Sequence, residues 1–235
     1  GAFTGNAGDN QLLRSANIGM NLPFGNGIDL TLGLFDTTVG YEVEASASNP
    51  NVMRSYGYAQ EPRTHTGLLA ATEITEGLSV SAALTNGFGQ NFNDRNAYDT
   101  SGHGDFGYVL GAELTVPDSL GFLGDTTLYV GWVAGGDEGN WDIPTARDAA
   151  GNVTATAPNV ENELLYIGAS INTPIEGLAI GVAYDDRQWG NVLESDSVAV
   201  YATYSLSDDA SIALRYDNGT VESGTSFLAP LGAED

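Results

Sequence analysis

The sequence predicts an all-β fold: a transmembrane, antiparallel, up-and-down β-barrel with about ten visible strands. Three observations predict it. Ten segments alternate apolar with small or polar residues, the two-residue period of a sheet whose faces meet different surroundings. Short turns alternate with long polar loops between successive strands, as in outer-membrane barrels. No apolar run approaches the ~18 residues of a membrane-crossing helix. A membrane location would therefore require strands closed on themselves, which satisfy every backbone hydrogen bond in lipid.

The strands are expected in order as follows. The first lies near 12–22. The second, Ile28 to Asp36, sets Ile28, Leu30, Leu32 and Leu34 opposite Asp29, Thr31 and Gly33. The third, near 66–75, is the least regular, because Leu69 and Ala71 blur its polar face. Leu78 to Asn86 is the clearest: Leu78, Val80, Ala82 and Leu84 oppose Ser79, Ser81, Ala83 and Thr85. Strands near 106–116 and 126–134 follow. Leu165, Ile167, Ala169 and Ile171 then oppose Tyr166, Gly168, Ser170 and Asn172. Leu178 to Asp185, Ser197 to Leu206 and Ile212 to Asp217 repeat the pattern. Tight turns are expected at Pro23 to Gly27, Glu76-Gly77, Pro117 to Gly124, Pro174 to Gly177 and Ser207 to Asp209, most with turn-forming Gly, Pro, Asn or Asp. Long loops are expected at about 37–65, 89–105, 135–161 and 186–196.

The apolar faces carry almost no charge along their middles. The opposite faces hold Gly, Ala, Ser and Thr rather than Lys and Glu. A soluble sandwich or lipocalin-like barrel also alternates, but its outward face would meet water and carry charge. Aromatic residues at the long-loop ends (Phe35, Phe88, Phe106, Tyr108, Trp132, Tyr184, Trp189 and Tyr216) suit an interfacial girdle.

Residues 1–235 read as a single domain. The formal net charge is −24, and all seven basic residues are arginines. Such a chain does not bind nucleic acid through phosphates, repels anions and attracts cations. The same acidity also suits solubility in a saline habitat. With no cysteine, there is neither a disulfide frame nor a thiolate metal site.

The stretch from Leu22 to Ala70 carries an ordered set of short motifs. A Pro23-Phe24-Gly25-Asn26-Gly27 turn leads to a strand ending Gly33-Leu34-Phe35. Then come Gly40-Tyr41-Glu42-Val43, Asn49-Pro50-Asn51, Arg54-Ser55-Tyr56 and His65-Thr66-Gly67, and further on Thr85-Asn86-Gly87-Phe88. This set resembles the OmpL-like β-barrel porin-2 family of Gram-negative bacteria. The match is dense over about the first 90 residues and architectural beyond them. The resemblance implies a channel for small solutes in the bacterial outer membrane. It supplies no functional residues. Members of that family are usually longer, and such barrels generally end on a strand with a terminal aromatic residue. The end Phe227 to Asp235 is no such strand, so one or more terminal strands are expected to be missing.

Candidate pore-lining or constriction residues fall in two groups. The loop at 37–65 holds Glu42, Glu44, Arg54, Glu61 and Arg63, with Tyr41, Tyr56 and Tyr58 between them. If it folds inward, acids facing arginines would set charge preference; the plainer alternative is a solvated loop closed by ion pairs. Asp29, Glu73, Glu113, Asp185, Arg215 and Asp217 lie on the expected lumen face, where charge is tolerated, and some of them would pair across strands. His65 and His103, the only histidines, lie in no nucleophile motif, so no enzyme is expected. Asp137, Glu138 and Asp142 lack the spacing of a calcium loop, and no cofactor is expected. The function expected is passive diffusion of small hydrophilic solutes or cations, the partners being those solutes and outer-membrane lipid. The alternative is a structural or surface-interaction barrel with a plugged lumen and acidic external loops. A homo-oligomer stays open, since an apolar outer band serves lipid contact in any case.

Overall fold

The computed structural model describes residues 15–89, 106–136, 143–147, 153–157, 161–190, 193–207 and 209–223. Its strands are β1 (Ala16–Leu22), β2 (Ile28–Asp36), β3 (Thr64–Thr75), β4 (Leu78–Thr85), β5 (Gly107–Thr115), β6 (Thr127–Gly136), β7 (Ile143–Arg147), β8 (Val153–Ala157), β9 (Glu161–Asn172), β10 (Leu178–Trp189), β11 (Leu193–Ser207) and β12 (Ala210–Ser223). Ten form one antiparallel sheet in the order β1-β2-β3-β4-β5-β6-β9-β10-β11-β12, and β7 and β8 pair as a separate hairpin. Apart from the β6-to-β9 step around that hairpin, each strand pairs with its neighbours in sequence, which is up-and-down topology. Among the described residues, β1 and β12 are each paired on one side only, so the sheet is not closed. A short helix, α1 (Tyr56–Gln60), lies between β2 and β3.

All ten expected strands are present, and the connections differ in two places. The segment expected as a loop at 186–196 is mostly sheet. Asp186, Arg187, Gln188 and Trp189 pair with Asp196, Ser195, Glu194 and Leu193. All but Trp189 and Leu193 are polar, on both faces, so the alternation fades although the backbone ladder continues. The expected loop at 135–161 contains the β7–β8 hairpin. His103, Asp137, Glu138, Asp142 and the segment 227–235 lie outside the described residues.

One register runs across the sheet. Asp29 of β2 faces Ala71 of β3, which faces Ser81 of β4, which faces Gly111 of β5, which faces Gly131 of β6. Gly131 faces Tyr166 of β9, then Asp185 of β10, Ser197 of β11 and Gly219 of β12. Directly paired residues share a face, so each strand's small and polar set lies on one side. The other side is apolar and uncovered: Leu32, Leu110, Ile167, Val200 and Leu214 are all exposed. The contrast between neighbours is sharp. Leu110 is 51% exposed and Val109 only 1%. The buried cluster of Phe35, Ala83, Val109, Val133, Leu164, Tyr166, Ala183, Ala199 and Tyr201 belongs to the small-and-polar side. Its burial comes from the β2–β3 loop laid over it.

The aromatic girdle is smaller than the sequence suggests. Tyr108, Tyr216 and Phe106 are exposed, but Phe35 and Phe88 are buried. Trp189 shares its face with Asn162, across the ladder from it. Strand parity, which places Phe35 and Trp189 opposite the apolar set, could have shown this.

Gly33 has φ +127°, and an added Cβ would meet the Ala16 carbonyl and lie 2.9 Å from Asn17 Cα. Gly33→Ala is expected to cost about 1–3 kcal/mol. Gly19→Ala, where the nearest atom is 4.0 Å away, is expected to stay within about 0.5 kcal/mol. Urea unfolding of the two variants measures the difference.

Candidate functional site

The loop from Thr37 to Arg63 crosses the small-and-polar face of the sheet. In a flat sheet, β2 and β6 would lie about 19 Å apart, at about 4.8 Å per strand. Yet Val39, only three residues or about 10 Å of chain past Asp36, already lies against Gly131 of β6, so the sheet curls around the loop and that face is concave. Thr38 lies beside Gly111, Val39 against Gly131, Tyr41 against Gly181 and Tyr56 against Gly219. A Cβ on Gly131 would sit 2.7 Å from Val39, and one on Gly181 would overlap the Tyr41 ring. Glycine on the wall is what lets the loop approach.

The loop's own residues shape it for this position. Gly40 has φ +113°, and a side chain there would collide with the Glu61 carboxyl. Asn49 closes the first bend: its Oδ1 accepts from the Val43 N–H at 2.9 Å, and its Nδ2 donates to the carbonyls of Val43 and Ala45. Ser55 caps α1, its Oγ accepting from the Tyr58 N–H at 3.1 Å. The Tyr56 N–H donates to Asp217 of β12 at 3.0 Å. Tyr41 stacks on Tyr201 of β11 with centroids 4.2 Å apart.

Glu42 is the electrostatic centre. Its side chain is buried and lies 3.5 Å from Arg54 and 3.3 Å from Arg215. It also accepts from the Tyr201 hydroxyl at 2.9 Å and the Ser55 N–H at 3.1 Å. Arg215 holds Asp217 at 3.0 Å and donates to the carbonyls of Met53 and Arg54. Glu44 lies 3.7 Å from Arg63 and accepts from the Tyr58 hydroxyl. The guanidiniums of Arg54 and Arg63 both lie over the Tyr58 ring. Burial, then the bond to Glu44, pushes the Tyr58 hydroxyl up to about 12. Arg187 lies over Phe88 and Trp189 and donates to the Gln60 carbonyl at 2.6 Å.

Glu61 faces a different environment. Its carboxyl neighbours that of Asp185. Burial first, and Asp185 second, hold it well above the ordinary glutamate range.

The remaining sequence candidates occupy the opposite end of the concave face, near the short turns. Asp29, Glu73 and Glu113 are exposed there. Asp29 accepts from the Asn21 amide at 2.7 Å. Glu73 and Glu113 both face Ser79, from β3 and β5. The structure thus brings Glu42, Glu44, Arg54, Glu61, Arg63, Asp185, Arg215 and Asp217 together at the loop and leaves Asp29, Glu73 and Glu113 apart. His65 is buried, with Nε2 3.0 Å from the Thr37 hydroxyl.

The family model described as "Putative beta-barrel porin-2, OmpL-like" matches residues 2–225. The chain belongs to this porin family. No curated protein matches it. The family carries a porin role in general terms and fits the sheet's two unlike faces. Sequence reading missed the residues that seat the loop: the wall glycines, Ser55, Asn49, Arg187 and Tyr201. The recurrence of Gly at inward positions of β5, β6, β10 and β12, opposite a tyrosine-rich loop, is the signal that could have found them.

Glu42→Gln would leave two arginines facing a neutral group in a buried place. It is expected to weaken loop docking by about 3 kcal/mol. Trypsin cleavage after Arg54 and Arg63 in the folded protein reads this, with Glu73→Gln at the far end leaving the cleavage rate unchanged.

Proposed function

We propose that the protein is a passive channel of the bacterial outer membrane, admitting small hydrophilic solutes and ions with a preference for cations. The observation that carries this reading is the pairing of an uncovered apolar outer face with a concave face lined by acids at one end. Lipid would cover Leu32, Leu110, Ile167 and Val200, and water would fill the concave side. Charge is costly on a lipid face and cheap in a lumen. Asp29, Glu73 and Glu113 would set a negative potential at the short-turn mouth, raising local cation concentration. The loop would form the narrow part, its charges held as ion pairs around Glu42 and Glu44. No catalytic step enters this reading, since His65 is enclosed and its Nε2 faces the Thr37 hydroxyl.

The depth of the loop favours a second reading, a plugged barrel with a structural or surface role. Planar-bilayer conductance separates the two, because a plugged barrel passes no steady current.

For the channel, the triple variant Asp29→Asn, Glu73→Gln, Glu113→Gln is expected to lower the cation-to-anion permeability ratio severalfold, with single-channel conductance little changed. Reversal potentials in a salt gradient measure it, and an unaltered ratio removes the acidic-mouth account. For the lipid face, Val200→Arg is expected to cost about 2–4 kcal/mol when it sits near mid-membrane, and more than the inward Thr203→Arg, since a lumen tolerates charge. Unfolding from lipid vesicles compares them.

A further inference from the structure

Glu61 and Asp185 are 5% and 2% exposed, and their carboxyl groups are neighbours. Two buried carboxyls side by side hold both charges only at high cost, so one carries a proton. Among the described residues, no arginine lies within ion-pair distance of either. The arrangement joins the loop to the wall: Glu61 ends the turn of α1, and Asp185 projects from β10. Gly57 sits between them in the sequence of contacts, because any Cβ there would overlap the Asp185 carboxyl. Asp185 Oδ1 has no hydrogen-bond partner of its own, so one of its two oxygens is left without support for a negative charge.

We propose that Glu61 and Asp185 share one proton that latches the loop onto the wall, and that losing it as pH rises releases the loop and widens the channel. The widening rests on the channel reading; the latch does not. The groups facing the pair come from every neighbouring element. Glu42 and the Tyr41 N–H lie on the loop, Tyr166 on β9, and Ser197 on β11. Arg187 on β10 binds the Gln60 carbonyl, while Arg54 and Arg215 engage Glu42. Glu42 adds repulsion, the Tyr41 N–H favours the charged form, and burial outweighs it.

The sign follows from linkage. The Glu61 carboxyl is raised above its ordinary 4.5 in the docked state. Its contribution to docking is therefore complete below 4.5 and is lost as pH rises through the docked value.

Backbone hydrogen exchange of residues 56–61 and bilayer conductance, both followed from acid to alkaline pH, test the latch. Wild type is expected to lose protection severalfold relative to Glu61→Gln as pH rises, since a proton bound more tightly in the docked state must be released. Its conductance is expected to rise over the same interval. Glu61→Gln donates to Asp185 without titrating, so it should show neither step. Asp185→Asn, which removes the carboxyl pair from the other side, should also lose the step and stands in should Glu61→Gln fail to fold. Identical pH curves for wild type and the variants overturn the proposal. So does loss of protection on adding a metal chelator at constant acid pH, which would mean a cation bridges the pair. Protection that steps as expected in a protein that never conducts leaves the latch standing and removes the channel reading.

Discussion

Everything in this molecule depends on a register that does not slip across ten strands. The side-chain period in a strand is two, so a one-residue shift anywhere would move every later apolar residue to the concave side. The two irregular steps, Glu73/Thr75 against β4 and Ser205/Ser207 against β12, fall at the short-turn ends of their ladders. The middles stay in phase. An inward glycine on β5 therefore predicts the side of an inward glycine on β12, and the wall can be built as one surface.

That surface is made to receive a loop rather than to enclose space alone. An ordinary small barrel fills its centre with wall side chains. Here the wall recedes at Gly131, Gly181 and Gly219, and the loop supplies the filling with Val39, Tyr41 and Tyr56. Glycine weakens a strand interior, and ladder pairing on both sides offsets that cost on β5, β6 and β10. The exchange also explains why the buried cluster is confined to one half of the concave face. The half without the loop keeps Asp29, Glu73 and Glu113 in contact with solvent.

Strand positions were legible because alternation is a local property: Leu78 to Thr85 declares both faces within eight residues. The extensions of β10 and β11 were not, because Asp186 and Arg187 are polar on both faces and only pairing across the ladder shows them to be strand. The loop's charged residues could be listed from sequence, but their partners could not. Glu42 meets Arg215 across 173 residues of chain, and nothing local encodes such a contact. The motifs that carried the family resemblance prove to be loop-seating devices. Gly40 makes room for Glu61, Asn49 closes a bend, Ser55 caps α1 and Arg54 reaches Glu42. A short-range motif can thus report a long-range arrangement when its residues shape a segment to fit a distant wall.

The distribution of arginine completes the electrical account. Four arginine side chains are described in or against the loop (Arg54, Arg63, Arg187 and Arg215), and each contacts loop atoms or loop carboxylates. None is described among the exposed acids of the short-turn end. The scarce cations of a chain with 31 acidic residues are thus spent on neutralising Glu42 and Glu44 where burial makes an unpaired charge costly. Asp29, Glu73 and Glu113, which no arginine is described beside, are acids that water already solvates, and the buried Glu61 and Asp185 have each other as neighbours instead. Burial therefore decides which acids take an arginine: Glu42 and Glu44 do, while Asp29, Glu73 and Glu113 stay in water. This follows from the cost of burying charge alone, before any selection for what passes through.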